Sequence, residues 1–451
     1  MPAALLFVIF VVLLVIAIPV SITLGIASVL PSVFDPSVTV GAKDLIRAMF
    51  GGLDSFPLLA VPMFVLSGII MAKGGISKKL FDIFAFFLGN FTAGMPCAVI
   101  VTCLFYGAIS GSAPATVAAV GSMTIPILSA LGYDRTFSTA IVAVAGGLGV
   151  IIPPSIPFIM YGMASGASVS SLFLAGVIPG LMIGLLLMLY AIYHCRRYGE
   201  DREKIHAEIH LLHEKGLFRV LRESFFALLS PVIILGCIYS GIASPTEAAV
   251  ISVFYALFVS LFLYRTMKFR DIPPIFVEAI RTFTPILFIL AASTAFSRVL
   301  TLMQVPQAVS SFILEHFNSP VMILLVINLF LLIVGMVMDT TPAILILTPI
   351  LLPIVTAINM DPVQFGVIMV VNRLRNPADR RQPLCRQLPD RRPDHGDRQK
   401  SDADDWIVPG GAAADYVYTG FVAGIVIMLN GRLEMLKFRK ISYNDLLHAF
   451  R

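Results

Sequence analysis

The sequence has 451 residues, of which 58% are hydrophobic and only 13% are charged. A soluble domain is about half apolar and about a quarter charged, so this composition excludes an ordinary soluble protein. It predicts an all-α polytopic protein of the lipid bilayer, with room for about ten to twelve crossings of roughly 20 residues each. The net charge of +5 is small and its basic residues stand in short loops, so nucleic acid is not an expected partner.

Apolar runs follow one another along the first 372 residues. Ala3 to Leu30 is too long for a cleaved signal sequence and is predicted to be the first span. The later runs cover residues 55–72, 95–110, 136–152, 171–194, 224–240, 245–264, 283–302, 319–338, 343–357 and 363–372, with a weaker run at 416–429.

A charged stretch from residue 196 to 222 interrupts these runs and is predicted to be a cytoplasmic linker. It separates a first half, residues 1–195, from a second half, residues 223–372. Its three histidines lack the carboxylate or cysteine spacing of a metal site and are expected at the surface. The five cysteines also lack close pairing, and those in apolar runs are expected to be small buried residues.

Two uncharged stretches, residues 107–126 and 146–162, break the apolar pattern with glycine, serine, threonine and proline. Irregular backbone at membrane depth is tolerated only where protein or a water-filled cavity satisfies its polar groups. The second half repeats the pattern: residues 95–128 match 320–352, and residues 64–84 match 289–314. Paired broken segments of this kind indicate the central site of a transporter built from inverted repeats.

The broken segments carry suitable ligands for an ion. A helix that stops within the membrane presents free carbonyls, and the next helix presents free amides. Ser110, Ser112, Thr340 and Thr341 add hydroxyl oxygens, while Gly111 lets the backbone come close. The alternative is that these small residues only allow close helix packing.

Asp339 favours the ion-site interpretation, because an acid between two apolar runs is expensive and usually functional. Its alternative role is to cap a helix at the membrane surface. Glu247 follows Pro245 and Thr246 at the head of an apolar run, which favours a capping acid over a proton carrier. Pro153, Pro154 and Pro157 cannot continue a helix and predict the tip of a re-entrant hairpin.

In these residues the chain resembles the large membrane subunit of tripartite ATP-independent periplasmic (TRAP) transporters, the DctM type. The resemblance extends from about residue 1 to 372. It is carried by the segments DSFPLLAVP (54–62), SGSA (110–113), IPPSIP (152–157), AGVIPG (175–180), SPTEA (244–248) and GMVMD (335–339).

The resemblance implies a multi-pass protein of the bacterial inner membrane that is not an enzyme and has no cofactor other than sodium ions. An elevator-type transport domain with two helical hairpins would slide against a scaffold. Its partners would be a small four-helix membrane subunit (DctQ type) and a periplasmic binding protein (DctP type). The substrate would be an organic acid: a C4-dicarboxylate, keto acid, sugar acid or sialic acid.

Carried onto this chain, the resemblance implies two sodium sites and no catalytic residue. The first would comprise Ser110, Gly111 and Ser112 with the backbone from Gly149 through Pro153 to Pro154. The second would comprise Asp339, Thr340 and Thr341.

After Asn372 the chain departs from the family, because residues 373–400 are crowded with arginine, aspartate and proline. Such a stretch cannot cross lipid, since each central charge costs about 2.5–3.5 kcal/mol. Residues 373–387 can be back-translated into codons that, when read one base later, encode Gly-Phe-Val-Thr-Pro-Pro-Ile-Gly-Val-Asn-Leu-Phe-Val-Ala-Ser. This is the apolar hairpin that the family would have here. We therefore interpret residues 373–451 as an aberrant tail produced by a frameshift, and call the restored sequence the frame-corrected form. The competing interpretation is a genuine cytoplasmic insertion or tail.

Three other functions compete with a subunit of a three-part transporter. An autonomous ion-coupled anion symporter would use the same broken segments without partners. An intramembrane enzyme would need a Ser/His, paired-Asp or His-Glu-x-x-His arrangement within its spans, and the sequence has none. A non-transporting scaffold would leave the paired polar breaks without a purpose.

Overall fold

The structure is a computed structural model that describes residues 3–16, 18–34, 41–214, 216–317 and 319–373. The regular elements within these ranges are all helices, as the composition predicts. Apart from Arg373, the predicted aberrant tail lies outside the described residues, as does the weaker apolar run at 416–429.

The first half begins with helices that are interrupted more often than the apolar runs suggest. Pro19 interrupts the predicted first span and separates it into two helices, because proline has no amide hydrogen to donate. The helices of this half are α1 (Ala3–Val15), α2 (Val20–Phe34), α3 (Ala42–Leu53), α4 (Ala60–Lys73, preceded by a 3₁₀ turn at Phe56–Leu59), α5 (Ile76–Leu88), α6 (Gly94–Ser110), α7 (Ala113–Ala130), α8 (Arg135–Gly146), α9 (Ile156–Ser165) and α10 (Val169–Tyr198).

The charged linker between the halves contains a short amphipathic helix, α11 (Arg202–Glu214). The helices that follow it are α12 (Leu217–Tyr239), α13 (Pro245–Phe258, extended by a π turn to Leu263), α14 (Ile272–Leu302), α15 (Val305–His316), α16 (Pro320–Val337), α17 (Thr340–Ala357) and α18 (Pro362–Arg373).

Seven helices in the described residues are long and apolar enough to cross a membrane. This number is smaller than the ten to twelve crossings expected from composition, because several apolar runs are divided into shorter helices. The full-length helices cover Phe56–Lys73, Ala113–Ala130, Val169–Tyr198, Leu217–Tyr239, Pro245–Leu263, Phe269–Leu302 and Thr340–Ala357.

Helix lengths repeat between the halves in the order that the sequence pattern predicts. Helices α5, α6, α7 and α8 have 13, 17, 18 and 12 residues, and α15, α16, α17 and α18 have 12, 18, 18 and 12. The turns that lead into α5 and α15 also match, since Gly75 and Gln304 both adopt positive φ there. The repeat is therefore visible in the local geometry as well as in the sequence.

The linker packs against the first half. Ile205, Ile209 and Leu212 form the buried face of α11, and Ile209 lies against Gly89 at the end of α5. The imidazole of His213 stacks edge-on against Phe86. The cysteines follow the sequence prediction: three are buried and Cys237 is half-buried, while Cys385 lies outside the described residues.

Candidate functional site

Helices α6 and α7 form a hairpin whose two ends meet at one carboxylate. The backbone N–H of Ala93, just before α6, donates a 2.8 Å hydrogen bond to Glu200 Oε1. The hydroxyl of Tyr133, just after α7, donates a 2.8 Å hydrogen bond to the same oxygen. Since the chain leaves this point in α6 and returns to it after α7, the pair is a re-entrant hairpin.

The tip of this hairpin is the first predicted break. Ser110 is the last residue of α6, and Gly111 adopts a left-handed φ of 61° that favours glycine. Ser112 is extended, and Pro114 stands in the first turn of α7, where its missing amide hydrogen is not needed. The local sequence therefore ends one helix and starts the next within two residues.

The second irregular stretch of the first half interrupts a helix instead of forming a hairpin. Helix α8 ends at Gly146, a 3₁₀ turn follows, and Ser155 caps α9 by accepting a hydrogen bond from the N–H of Phe158. Helix α9 then packs against α17 and α18. The prediction of a hairpin tip at Pro153 and Pro154 is therefore wrong: the hairpin tip is at Gly111 and Ser112, and the prolines separate two parts of a broken helix.

The two breaks of the first half lie against each other. The N–H of Ile156 donates a 3.2 Å hydrogen bond to the carbonyl of Gly111. A Cβ atom on Gly111 would stand 2.7 Å from the carbonyl oxygen of Pro154, and one on Gly107 would stand 2.5 Å from Cα of Gly149. These glycines are needed because a side chain at either position would collide with backbone.

Three oxygen atoms form a cluster at the hairpin tip. Ser110 Oγ lies 2.9 Å from Thr116 Oγ1, which donates a 2.9 Å hydrogen bond to the carbonyl of Ser112. Ser110 Oγ is 3.4 Å from the same carbonyl. A Cβ on Gly149 would stand 2.5 Å from Thr116 Oγ1, so the backbone of the broken helix closes one side of the cluster. The two buried hydroxyls and the carbonyl oxygen suit a hard, weakly charged cation.

The structure thus brings together the residues predicted for the first ion site. Ser110, Gly111, Ser112, Gly149 and Pro154 all contribute to the contacts between the breaks. Pro153 is buried in the loop that carries Pro154.

At the second break, Asp339 is exposed and caps a helix. Its side chain accepts a 2.6 Å hydrogen bond from the N–H of Thr340 at the start of α17. Thr340 is half-buried and Thr341 is buried. This is the geometry of the capping alternative, so an ion-binding role for these three residues remains a prediction. Helix α17 packs along α9, which connects the second break to the first.

Sequence reasoning missed two residues of the first-half site. Thr116 stands four residues after Ser112, so in a helix its hydroxyl lies over the Ser112 carbonyl. This contact can be recognised only when the start of α7 is known. Glu200 lies outside the apolar runs and is 107 residues away from Ala93, so no local signal points to it. The capping role expected for Glu247 is confirmed, since it forms a capping box with Ser244.

A cavity of about 660 Å³ lies elsewhere, between α9, α13, α14 and α17. Its lining includes Phe56 and Thr246, and a 3.3 Å hydrogen bond joins the hydroxyl of Thr246 to the carbonyl of Phe56. These residues belong to the segments 54–62 and 244–248, which carry part of the family resemblance.

Residues 7–374 match the family model described as the DctM component of the tripartite ATP-independent periplasmic transporters. The isethionate TRAP transporter permease DctMQ of Oleidesulfovibrio alaskensis is 41% identical over 82% of this chain, which spans 57% of that longer protein. The C4-dicarboxylate large permease DctM of Pseudomonas aeruginosa is 41% identical over 73% of this chain and 76% of its own length. The sialic acid large permease SiaM of Vibrio cholerae is 34% identical over 74% of this chain and 77% of its own length.

Two solved transporters share the fold at low sequence identity. The efflux pump MtrF of Neisseria gonorrhoeae has a TM-score of 0.56 and 14% identity, covering 95% of this chain and 94% of its own. The YdaH transporter of Alcanivorax borkumensis has a TM-score of 0.56 and 12% identity, covering 94% and 96%. At these identities the likeness concerns the arrangement of helices alone.

Proposed function

We propose that this chain, which belongs to the DctM component family of the tripartite ATP-independent periplasmic transporters, is the large permease subunit of such a transporter and couples uptake of an organic acid to sodium. Its place is the bacterial inner membrane. It works with a small four-helix subunit (DctQ type) and a periplasmic binding protein (DctP type) that delivers the substrate. Relatives named for C4-dicarboxylates, 2,3-diketo-L-gulonate, sialic acid and isethionate support an organic acid as the substrate class.

The observation that carries sodium coupling is the oxygen cluster at the hairpin tip. Ser110 Oγ, Thr116 Oγ1 and the Ser112 carbonyl converge at the tip, and among the described residues no charged side chain forms a hydrogen bond with these three oxygens. A sodium ion there would replace the mutual hydrogen bonds, with the hydroxyl hydrogens turned outward. Such an ion would hold the hairpin tip against the broken helix, so its binding would fix the shape of the transport domain.

A second sodium ion is assigned to the break that precedes α17. The hydroxyls of Thr340 and Thr341 and the carboxylate of Asp339, which accepts a hydrogen bond from the N–H of Thr340, supply oxygen atoms at this helix start. In the frame-corrected form, the restored Thr-Pro-Pro segment would face them as residues 149–154 face the first hairpin. The elevator movement of the transport domain would then carry both ions with the substrate.

The frame-corrected form tests this proposal by its melting temperature in sodium and in choline buffer. A ligand that binds only the folded state stabilises it by about 2.7 kcal/mol at one hundred times its Kd. Sodium is therefore expected to raise the melting temperature, and the increase should be reduced in Ser110→Ala, Thr116→Val and Asp339→Asn, each of which removes or neutralises a side-chain oxygen of a proposed site.

Ser252→Ala is the matched control. This serine is also buried and bonds to a helix carbonyl, but it stands on α13. Its variant should keep the full response to sodium. Equal melting temperatures in the two buffers would refute sodium coupling, and equal responses of the Ser110 and Ser252 variants would remove the hairpin tip from the site.

A further inference from the structure

The cavity between α9, α13, α14 and α17 faces the side opposite the basic linker. Helix α10 begins beside it at Ser168 and ends with Arg196 and Arg197 after 30 residues, about 45 Å away. Basic residues at the ends of spans mark the cytoplasmic side. The cavity is therefore on the periplasmic side of the molecule, and we call it the outer cavity.

Two further helices give the same orientation. Helix α12 leaves the basic linker at Leu217, and the chain reaches the outer cavity at Ser244 after that helix ends. Helix α14 starts next to Arg270 and reaches the cavity with Ser297, near its other end. Three independent crossings thus place the outer cavity on the face that a periplasmic substrate would meet first.

The lining of the outer cavity offers hydrogen bonds without a fixed charge. Ser55, Ser170 and Ser297 are half-buried, and their hydroxyls have no hydrogen-bond partner among the described residues. The described residues that line the cavity include no aspartate, glutamate, lysine or arginine. Helix α10 begins there with no acidic residue in its first turn, so its positive end is not neutralised by a side chain of that turn.

The outer cavity is also connected to the proposed ion site. Helix α9 starts at Ile156, directly after the loop that touches the hairpin tip, and its Gly162 lines the cavity. Six residues of helix correspond to about 9 Å. Ile159 and Met163 line the cavity from the same helix. A substrate in the outer cavity would thus lie one to two helical turns from the first break.

We propose that the outer cavity is a binding site for the small organic anion that the transporter takes up, occupied before the anion reaches the ion sites. This inference rests on the proposed function and adds the place where the substrate is first held. A volume of about 660 Å³ fits a small carboxylate or sulfonate. The unpartnered hydroxyls and the start of α10 donate hydrogen bonds to the anion. Without a lysine or arginine, the site releases the anion readily for the next step.

Single cysteines in the full chain test the inference, because the cavity is built from residues before 373. Ser297→Cys and Ser170→Cys place a thiol in the outer cavity on two different helices. Ser311→Cys is the matched control, since this exposed serine follows the periplasmic end of α14 on α15. Membrane vesicles of known orientation are treated with an anionic and a cationic thiol reagent of similar size, neither of which crosses the membrane. The unsubstituted chain gives the background from native cysteines.

The expected result is labelling from the periplasmic side, with a ratio of anionic to cationic rates at least about threefold higher at the two cavity positions than at Ser311→Cys. Succinate, N-acetylneuraminate and isethionate, each compared with chloride, then report which anion slows the reaction. A ratio no higher than at Ser311→Cys, or labelling from the cytoplasmic side, would overturn the inference. The sodium response of the melting temperature is measured separately, so failure of the proposed function would be recognised independently.

Discussion

The contact between the two first-half breaks should not tolerate a single added methyl group. Gly107 lies in α6 and is buried, and a Cβ on it would stand 2.5 Å from Cα of Gly149 and 3.0 Å from its amide nitrogen. Both obstacles are backbone, so no side chain can turn away to make room. Gly107→Ala should therefore push the broken helix away from the hairpin.

The magnitude follows from a comparison with Gly236→Ala in α12. Both glycines are in helix interiors, so each variant gains the same helix propensity of about 1 kcal/mol, and this gain cancels. Nothing lies within 4 Å of a Cβ at Gly236. Overpacking of a closely packed interior costs about 1–3 kcal/mol. We expect Gly107→Ala to be less stable than Gly236→Ala by that amount.

Equilibrium unfolding of the purified full chain in mixed detergent micelles, followed by circular dichroism, measures this difference. The two variants and the unsubstituted chain are unfolded under identical conditions. If Gly107→Ala were as stable as Gly236→Ala, the hairpin and the broken helix would not be in contact. The backbone of the broken helix would then not close one side of the oxygen cluster.

Two further predictions concern the base of the hairpin. Glu200→Ala should lower the free energy of unfolding by about 2–4 kcal/mol, since it leaves the buried amide of Ala93 and the hydroxyl of Tyr133 without their acceptor. Glu200→Gln keeps an acceptor oxygen and should lower it less. Equal losses of stability for the two variants in an unfolding titration would contradict this account. Burial and the hydrogen bond to Glu200 raise the pKa of Tyr133, so the folded state keeps a proton that the unfolded state loses above about pH 10. Stability should therefore fall as pH rises past that value, and less steeply in Tyr133→Phe; identical slopes would show that the phenol does not titrate with folding.

The local sequence was sufficient to predict the breaks in the apolar helices, because a few adjacent residues determine each break. Ser110, Gly111 and Ser112 combine poor helix formers with a glycine that adopts positive φ, and Pro114 starts the next helix. The repeat was also visible, since it depends on the order of such signals. Pro19 shows the limit of hydropathy, because one proline divides an otherwise continuous apolar run into two helices.

The direction of the chain after each break could not be read from the sequence. Whether a helix turns back or continues is decided by partners far along the chain, such as Glu200 for the first hairpin and α17 for α9. Proline content alone therefore assigned the hairpin to Pro153 instead of Gly111. The same limit applies to Asp339, whose capping geometry is local while its proposed ion-binding role depends on a segment outside the described residues.

Uptake into proteoliposomes tests the central claim most directly. The frame-corrected form and the chain as written are each reconstituted with the small membrane subunit, and the binding protein loaded with its organic acid is added outside. We predict sodium-driven uptake by the frame-corrected form only when both partners are present, and no uptake by the chain as written, because residues 373–400 cannot supply the second Thr-Pro-Pro segment. Comparable sodium-dependent uptake by the two forms, or uptake by the frame-corrected large subunit alone, would contradict the account.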